Sequence, residues 1–389
     1  MNTTQRGIIT LLKSAVLQQL FALPDGFDLE AAMELIRLHG IGTLAYDGAV
    51  RCGIPRSDPR MKVLFQQYCR ALQVSERQLL ELDRIYGAFQ KNGIAFLPLK
   101  GCIMKQLYPK PELRHMGDAD ILIRLDQNGQ ITPIMEQLGF TFKEQTDHEI
   151  VWLSQGLYLE LHKRLIPSYN RDISPYFGDG WQRAIQSEGT RFEMSPEDTF
   201  IFLFTHYAKH FRDGGIGCRH VLDLWIYQRS HLELDLDYVR AELGKLELLT
   251  FFENTCRLIA AWFGEAEGDA TTERMQEYVF DSGSYGKDES RALSRAVRDS
   301  RHSVLGFSGR LLYLWQTAFP DVATLRGKYT VLKKHPYLLP LIWLVRPFYK
   351  LLFEFKTLRR QKNNLSALSQ ENLDERQKML QDVGLEYRF

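Results

Sequence analysis

Two aspartates separated by one residue open a short apolar run at Asp118-Ala-Asp-Ile-Leu-Ile123, and this run constrains the fold more than any other segment. A run this short and this apolar is typical of a buried strand. Because strand side chains alternate between two faces, both carboxylates are expected on one face, a few ångströms apart. Two adjacent carboxylates repel unless a cation neutralises them. The run therefore predicts a sheet that carries a cation site on one face.

The surrounding pattern predicts an α+β fold. Residues 1–92 repeat apolar side chains at helical spacing, residues 93–194 alternate short strands with short helices, and residues 195–389 are again helical. We expect a small mixed β-sheet core flanked by N-terminal helices and a C-terminal helical domain. The predicted strands are 94–99, 118–123, 140–143, 149–153 and 157–162. The predicted helices after residue 93 are 101–107, 126–138, 196–211, 218–230, 236–244 and 247–264.

Two later segments stand apart from this pattern. Residues 265–290 are polar and partly rich in Gly and Ser, so we expect a loop there. Residues 337–355 are the most apolar stretch, but they contain two prolines and three charged residues. That charge density argues against a spanning helix. A buried helix is the first interpretation, and an interfacial membrane contact is the alternative.

Composition and charge exclude several functional classes. The formal net charge of +1 gives no broad electrostatic footprint for duplex DNA. The five cysteines form no C-x-x-C pair, which disfavours a disulfide framework or a zinc site and fits a reducing cytoplasm. The first residues lack the apolar core and cleavage site of a signal peptide. We therefore expect a cytoplasmic protein without a transmembrane segment.

A third carboxylate for the cation site is predicted at Glu160. In residues 157–162, leucines alternate with Tyr158, Glu160 and His162, so one face enters the core and the other can reach Asp118 and Asp120. Three carboxylates suit Mg²⁺, with Mn²⁺ as the alternative, because hard cations prefer oxygen ligands. The competing interpretation is that Glu160 is a solvated strand residue.

A phosphate-binding site is predicted beside the carboxylates. Lys100-Gly101 follows a strand and opens a helix, where backbone N–H groups favour an anion and glycine permits its close approach. Lys100 adds a point charge, and Arg114 could hold phosphate oxygens with two hydrogen bonds. The alternative for Arg114 is a salt bridge to Asp118 or Glu112.

Several basic residues of the second half could also reach a nucleotide. His206 and His210 share one helical face, and with Lys209 and Arg219 they could contact base, phosphate or acceptor. The equally weighted alternative is that the two histidines make hydrogen bonds between helices. A metal site there is disfavoured because the glutamate of H-E-x-x-H is absent.

The run LKGCIMKQLYPKPELRHMGDADILI at 99–123 resembles the uncharacterised nucleotidyltransferase family of bacteria. Members share LKG, then YP and LR, then D-x-D followed by apolar residues. The likeness continues in Glu160-Leu161-His162, in Ser195-Pro-Glu-Asp198 and in Arg219-His-Val-Leu-Asp223, and it covers most of residues 65–350. The resemblance implies a nucleotidyltransferase core of the polymerase-beta type at 93–194. That superfamily usually has Gly-Ser where this chain has Lys100-Gly101, and often Asp where it has Glu160.

The resemblance also implies a reaction. A nucleoside monophosphate would pass from a nucleoside triphosphate such as ATP to an unidentified acceptor hydroxyl, with Mg²⁺ held by Asp118, Asp120 and Glu160. One alternative is nucleotidylation of a protein or an RNA in a toxin-like or regulatory role. Another is a nucleotide-binding scaffold that has lost its activity. The acceptor and the preferred base are open at this point.

Overall fold

The structure is a computed structural model that describes residues 1–284, 286, 290–294, 315, 318–320, 322–325, 329–353 and 369–385. The described residues form a mixed β-sheet and many helices, which confirms the predicted α+β class. The chain divides into two units. The first comprises Met1–Ala208 and Gly217–Ser284, and the second comprises Lys209–Ile216 and Tyr285–Phe389. The predicted boundaries at 92/93 and 194/195 stay a prediction.

Four helices precede the sheet, in agreement with the sequence pattern. They are α1 (Thr3–Leu17), α2 (Leu29–His39), α3 (Gly42–Arg51) and α4 (Pro59–Lys91). Asp58 caps α4 by accepting a hydrogen bond from the backbone N–H of Arg60, and Pro59 takes the first helical position, where no N–H is needed. Gly93 follows this helix with φ +70°, a conformation that glycine adopts without strain.

Seven strands form one mixed sheet in the first unit. They are β1 (Phe96–Leu99), β2 (Ala119–Ile123), β3 (Thr141–Gln145), β4 (Glu149–Leu153), β5 (Tyr158–His162), β6 (Ala184–Glu188) and β7 (Arg191–Met194). The spatial order is β3-β4-β5-β2-β1-β7-β6. The β2–β5 and β1–β7 pairs are parallel and the other pairs are antiparallel. The sequence pattern predicted β1 to β5 to within two residues at most ends, but it did not predict β6 and β7.

The core lies against one face of this sheet. Ile121 of β2 and Leu159 and Leu161 of β5 are completely buried there, together with Phe89 from α4 and Met135 from the helix that follows β2. The odd-numbered residues of β2 and β5 therefore face this core. The even-numbered residues of both strands consequently share the opposite face, which carries the candidate site.

Further helices lie between and after the strands. They are α5 (Gly101–Leu107), α6 (Asn128–Gln137), α7 (Ser174–Phe177), α8 (Pro196–Asp213), α9 (Cys218–Ser230), α10 (Leu236–Lys245), α11 (Leu249–Phe263) and α12 (Ala270–Ser282). Of the range 265–290 that was expected to hold a loop, residues 265–269 have no regular secondary structure, α12 occupies Ala270–Ser282, and residues 285 and 287–289 lie outside the described part of the chain. Asp269 caps this helix at the N–H of Thr272, and Met275 and Val279 bury one face of it.

In the second unit, the helices whose bounds fall within the described ranges are α13 (Val322–Leu325), α14 (Leu339–Phe353) and α15 (Gln370–Asp382). The apolar 337–355 segment forms a helix over Leu339–Phe353, and residues 354 and 355 lie outside the described ranges. This helix is not fully buried as expected. Ile342 packs against Leu325, whereas Leu341 and Leu344 are 57% and 69% exposed. The helix therefore packs through one face only among its described side chains. No helix in the described ranges is long and apolar enough to cross a membrane.

Candidate active site

The site is built where β2 and β5 run side by side. Because these strands are parallel and in register, Asp120 lies directly beside Glu160. His162 follows two residues after Glu160 and therefore lies on the same face. Asp120 and His162 are almost fully buried, whereas Glu160 is partly exposed. The sheet thus brings Asp120 and Glu160 together, as the alternation of residues 157–162 predicted.

A lysine and a histidine hold the Asp120 carboxylate. Nζ of Lys100 donates to Oδ1 of Asp120 at 2.7 Å, and Nε2 of His162 lies 2.7 Å from the same oxygen. Burial by itself would raise the pKa of Asp120, but the Lys100 charge and the His162 contact outweigh it and keep that pKa well below its ordinary value. Burial is likewise outweighed at His162, whose pKa is raised by its contacts with Asp120 and Glu160. Oδ1 of Asp120 therefore already has two close partners, Lys100 and His162.

The ligand atoms of Asp120, Glu160 and His162 all lie within 4.8 Å of one another, a spacing that suits a metal ion. Asp118 immediately precedes β2 and is exposed. Asp118 is not among the described residues whose ligand atoms form this group. Partial shielding from water raises the pKa of Asp118, and the charge of Asp120 raises it further. The two aspartates thus influence each other electrostatically, but only Asp120 is locked in place.

The Lys100-Gly101 step has unusual backbone geometry. Lys100 adopts φ +42°, a conformation that a residue with a side chain rarely takes, directly before α5. A side chain at Gly101 would collide with Met116 and come within 3.0 Å of Nη1 of Arg114. Any larger residue at this position would therefore require the side chains of Met116 and Arg114 to shift. The structure brings Lys100, Gly101 and Arg114 together, as the sequence predicted.

Arg114 has a different partner from the two that the sequence suggested. Its guanidinium pairs with Asp223 of α9 (Nη2 to Oδ2, 3.0 Å) and not with Asp118 or Glu112. Tyr108 donates a hydrogen bond to the same carboxylate at 2.7 Å. Burial lowers the pKa of Arg114 by itself, but the Asp223 charge outweighs it. This buried pair holds Arg114 beside Gly101.

Arg219 lies next to Arg114 at the start of α9. Nη1 of Arg219 and Nη1 of Arg114 each donate to the backbone oxygen of His115 at 3.1 Å, so the two guanidinium groups are neighbours. Arg219 is 7% exposed, its Nε is buried without a hydrogen bond, and none of the described carboxylates forms an ion pair with it. Shielding from water and the two arginine charges lower the pKa of His115 to about 4. This cluster consequently has an excess of positive charge.

The remaining predicted residues lie on α8, and Cys102 lies on α5. His206, Lys209 and His210 lie along α8 and are half-buried, and their contact with nucleotide stays a prediction. Cys102 is buried at the start of α5, and burial raises the pKa of its thiol to about 12. That shift is opposite to the one a reactive cysteine needs. Cys102 is therefore a packing residue.

The sequence reasoning missed His148 and Glu149. Glu149 lies directly opposite His162 in the antiparallel β4–β5 pair, and Nε2 of His148 is 3.0 Å from Nδ1 of His162. Both strands were predicted, and a tight turn joins them. Counting residue pairs outward from that turn would have placed Glu149 opposite His162. The signal was therefore present but was not used.

Comparison with known proteins gives one finding. A family model described as "Uncharacterised nucleotidyltransferase" matches residues 25–264, which is more than half of the chain and includes every residue of the site. No curated protein and no solved structure matches the chain.

Proposed function

The chain belongs to the uncharacterised nucleotidyltransferase family, and from this premise we propose that it transfers a nucleoside monophosphate from a nucleoside triphosphate to an acceptor hydroxyl with the help of Mg²⁺. The observation that carries the proposal is the register of β2 and β5, which sets the carboxylates of Asp120 and Glu160 side by side on one sheet face. Lys100 and Gly101 adjoin them at the start of α5. Carboxylates that could bind a metal ion thus lie beside basic and backbone N–H groups that could bind a triphosphate.

The donor set fits a hard divalent cation. Asp120 and Glu160 offer carboxylate oxygens, and Asp118 stands at the exposed end of the same strand. The Lys100 ammonium already lies among these three carboxylates, whose charges raise its pKa although burial opposes them. Lys100 supplies one positive charge to three carboxylates, so the negative charge that remains favours binding of a metal cation. We propose Asp118, Asp120 and Glu160 as the ligands of Mg²⁺, with Mn²⁺ as the alternative.

When bound, Mg²⁺ would neutralise the phosphate charge that builds up during transfer. The protein itself would bind the phosphates through Lys100 and Gly101, with the charge of Arg114 directed at the same place by Asp223. Catalysis would then consist mainly of positioning and charge neutralisation. ATP is the first donor to test.

The chemical step needs one proton acceptor. The acceptor oxygen forms a bond to the α-phosphorus, the bond from that phosphorus to the bridging oxygen breaks, and pyrophosphate leaves. Glu160 has two alternative roles, as the third metal ligand or as the group that receives the proton of the attacking hydroxyl, because it is partly exposed while the Asp120 carboxylate is held by Lys100 and His162. The acceptor class stays open, and a protein or an RNA is the alternative to a small molecule. A cytoplasmic location stays a prediction.

Thermal unfolding with each of the four nucleoside triphosphates, with and without Mg²⁺, tests the proposal. Ligand at about a hundred times its dissociation constant stabilises a protein by roughly 2.7 kcal/mol, which raises Tm by several degrees. We expect a shift that needs Mg²⁺ and disappears in Asp120→Asn but persists in Asp126→Asn, an exposed control on the loop after β2. A shift that is unchanged in Asp120→Asn would contradict the assigned site. Binding without pyrophosphate release under any acceptor would favour the scaffold alternative.

A further inference from the structure

A second group of metal-binding side chains lies beside the proposed magnesium ligands. It consists of His148 just before β4, Glu149 at the start of β4 and His162 at the end of β5. Nε2 of His148 is 3.0 Å from Nδ1 of His162, and Oε2 of Glu149 is 3.9 Å from each of these nitrogens. In a tetrahedral site with zinc–ligand bonds of about 2.0–2.1 Å, the ligand atoms lie about 3.4 Å apart. The three separations are each within about 0.5 Å of that value, so small side-chain shifts would bring the three atoms to the spacing of metal ligands.

His162 is oriented in the way that metal-binding histidines are. Its other ring nitrogen, Nε2, faces Oδ1 of Asp120 at 2.7 Å. A proton on Nε2 donated to that carboxylate leaves the lone pair of Nδ1 directed at His148 and Glu149. Histidines that bind metals commonly donate their second N–H to a carboxylate, which fixes the ring and increases the basicity of the ligand nitrogen. The Asp120–His162 contact supplies this arrangement.

The backbone around His148 and Glu149 is also held. Oγ1 of Thr146 accepts hydrogen bonds from the backbone N–H groups of both residues at 3.1 Å. The N–H of Lys163 donates to the backbone oxygen of His148 at 2.8 Å. Glu149 is fixed opposite His162 by the β4–β5 register. The ligands are thus positioned by the sheet, and little reorganisation is needed on binding.

We propose that His148, Glu149 and His162 bind a divalent transition metal, with Zn²⁺ as the preferred ion. Two imidazoles and one carboxylate suit zinc far better than Mg²⁺, which prefers oxygen ligands alone. The side chain of Glu149 is 24% exposed and that of His148 is 13% exposed, so the site is open to a fourth ligand on one side. The cysteines play no part, and the sparse cysteine pattern does not bear on this site.

The site has a consequence for Asp120. A metal on Nδ1 of His162 would hold that ring, and the ring would in turn hold Oδ1 of Asp120. The zinc ligands would therefore position a carboxylate of the neighbouring site without touching the nucleotide. Zinc binding itself does not depend on the proposed nucleotidyl transfer, since it requires only the three side chains.

The test is titration of the chelator-treated full chain with ZnCl₂ by calorimetry, and with CoCl₂ by visible absorption. We expect one ion per chain, and the strong absorption bands of four-coordinate cobalt with nitrogen ligands. His148→Gln and Glu149→Gln should each weaken zinc binding at least tenfold, whereas His231→Gln, which removes a histidine at the end of α9, should not. Asp118→Asn should leave zinc affinity unchanged, because Asp118 is outside this group.

Three results would overturn the proposal. They are no zinc binding by the native chain, native-like affinity in both His148→Gln and Glu149→Gln, and a cobalt spectrum of a hydrated octahedral ion. The cobalt spectrum is recorded on the native chain, so it decides the matter even if a variant fails to fold. Loss of nucleotide binding with intact zinc binding would refute the proposed function alone.

Discussion

The ammonium of Lys100 and Oδ1 of Asp120 lie 2.7 Å apart, and the carboxylate of this pair is almost completely buried. Lys100 immediately precedes α5, and Asp120 lies in β2. The contact therefore connects the predicted phosphate-binding residues to a predicted metal ligand. Charges this deeply buried are stable only when paired. The same contact therefore supports both the local fold and the proposed chemistry.

Replacing Asp120 should remove activity and also reduce stability. Asp120→Asn leaves Lys100 and His162 facing a neutral amide, and breaking a buried pair costs about 3–5 kcal/mol. We expect pyrophosphate release to fall at least a hundredfold, and the urea midpoint to fall as well. Asp118→Asn separates the two effects, because Asp118 is exposed. It should lower activity while the unfolding free energy stays within about 0.5 kcal/mol. Full activity in both variants would contradict the assigned ligands.

The Arg114–Asp223 pair should be a major stabilising contact. Both residues are less than a tenth exposed, and Tyr108 donates to the same carboxylate. Asp223→Asn leaves the Arg114 charge buried without a counter-charge, so we expect a loss of about 3 kcal/mol in the free energy of urea unfolding. Asp237→Asn on α10 is the control, because its side chain is 98% exposed and its ion pair contributes little. A loss no larger than that of the control would show that the pair is dispensable.

Replacing Arg219 should weaken nucleotide binding without lowering the stability of the protein. It is a buried guanidinium without a carboxylate partner among the described residues, so its charge is available to a phosphate. Arg219→Gln should weaken ATP and tripolyphosphate binding about tenfold, since a hydrogen bond to a charged group contributes about 1.5–3 kcal/mol. The apo protein should be as stable as the native chain or more stable, because an unpaired buried charge is removed.

Calorimetric titration and thermal unfolding check this prediction, with Arg229→Gln as the control. Arg229 is an exposed arginine on the same helix. Equal ATP affinity in Arg219→Gln and in the native chain would contradict a phosphate contact.

His39 should make the chain less stable in mild acid. It is fully buried, its Nε2 faces the backbone oxygen of Phe280, and the N–H of Cys218 donates to Nδ1. Burial lowers the pKa of His39 below its ordinary 6.5, and the Phe280 contact opposes this only in part. The unfolded chain therefore binds the proton more readily. The stability contribution is complete above pH 6.5 and is lost as the pH falls towards the lowered pKa.

Each pH unit of acidification in that range can lower the free energy of unfolding by up to about 1.4 kcal/mol. Urea unfolding at pH 7.5 and 5.5 checks it, with His39→Gln as the variant, because a glutamine amide can make the same two hydrogen bonds without titrating. We expect the variant to lose about 1 kcal/mol less than the native chain between the two pH values. His231→Gln serves as a histidine control, and an unchanged difference in His39→Gln would refute the assignment.

Much of the fold was predictable because its signals are local. A short apolar run marked β2, apolar alternation marked β5, and apolar side chains at helical spacing marked the helices before the sheet. Alternation also placed Asp120 and Glu160 on one face of the sheet, since the period of a strand is a property of its backbone. The strands β6, at the edge of the sheet, and β7, beside it, lack this signal. Most of their residues are exposed, so no apolar pattern distinguishes them from a loop.

The partners of the charged groups were decided only by the tertiary structure. The sequence by itself determined that Asp118, Asp120, Lys100 and Arg114 lie near one another, because short elements connect them. It could not determine that Arg114 pairs with Asp223, 109 residues away, or that His162 binds Asp120 across β2 and β5. Charge complementarity acts through space and does not depend on sequence separation. A buried charge takes whichever opposite charge the packing of helices and strands brings within reach, and that packing is set by the whole core.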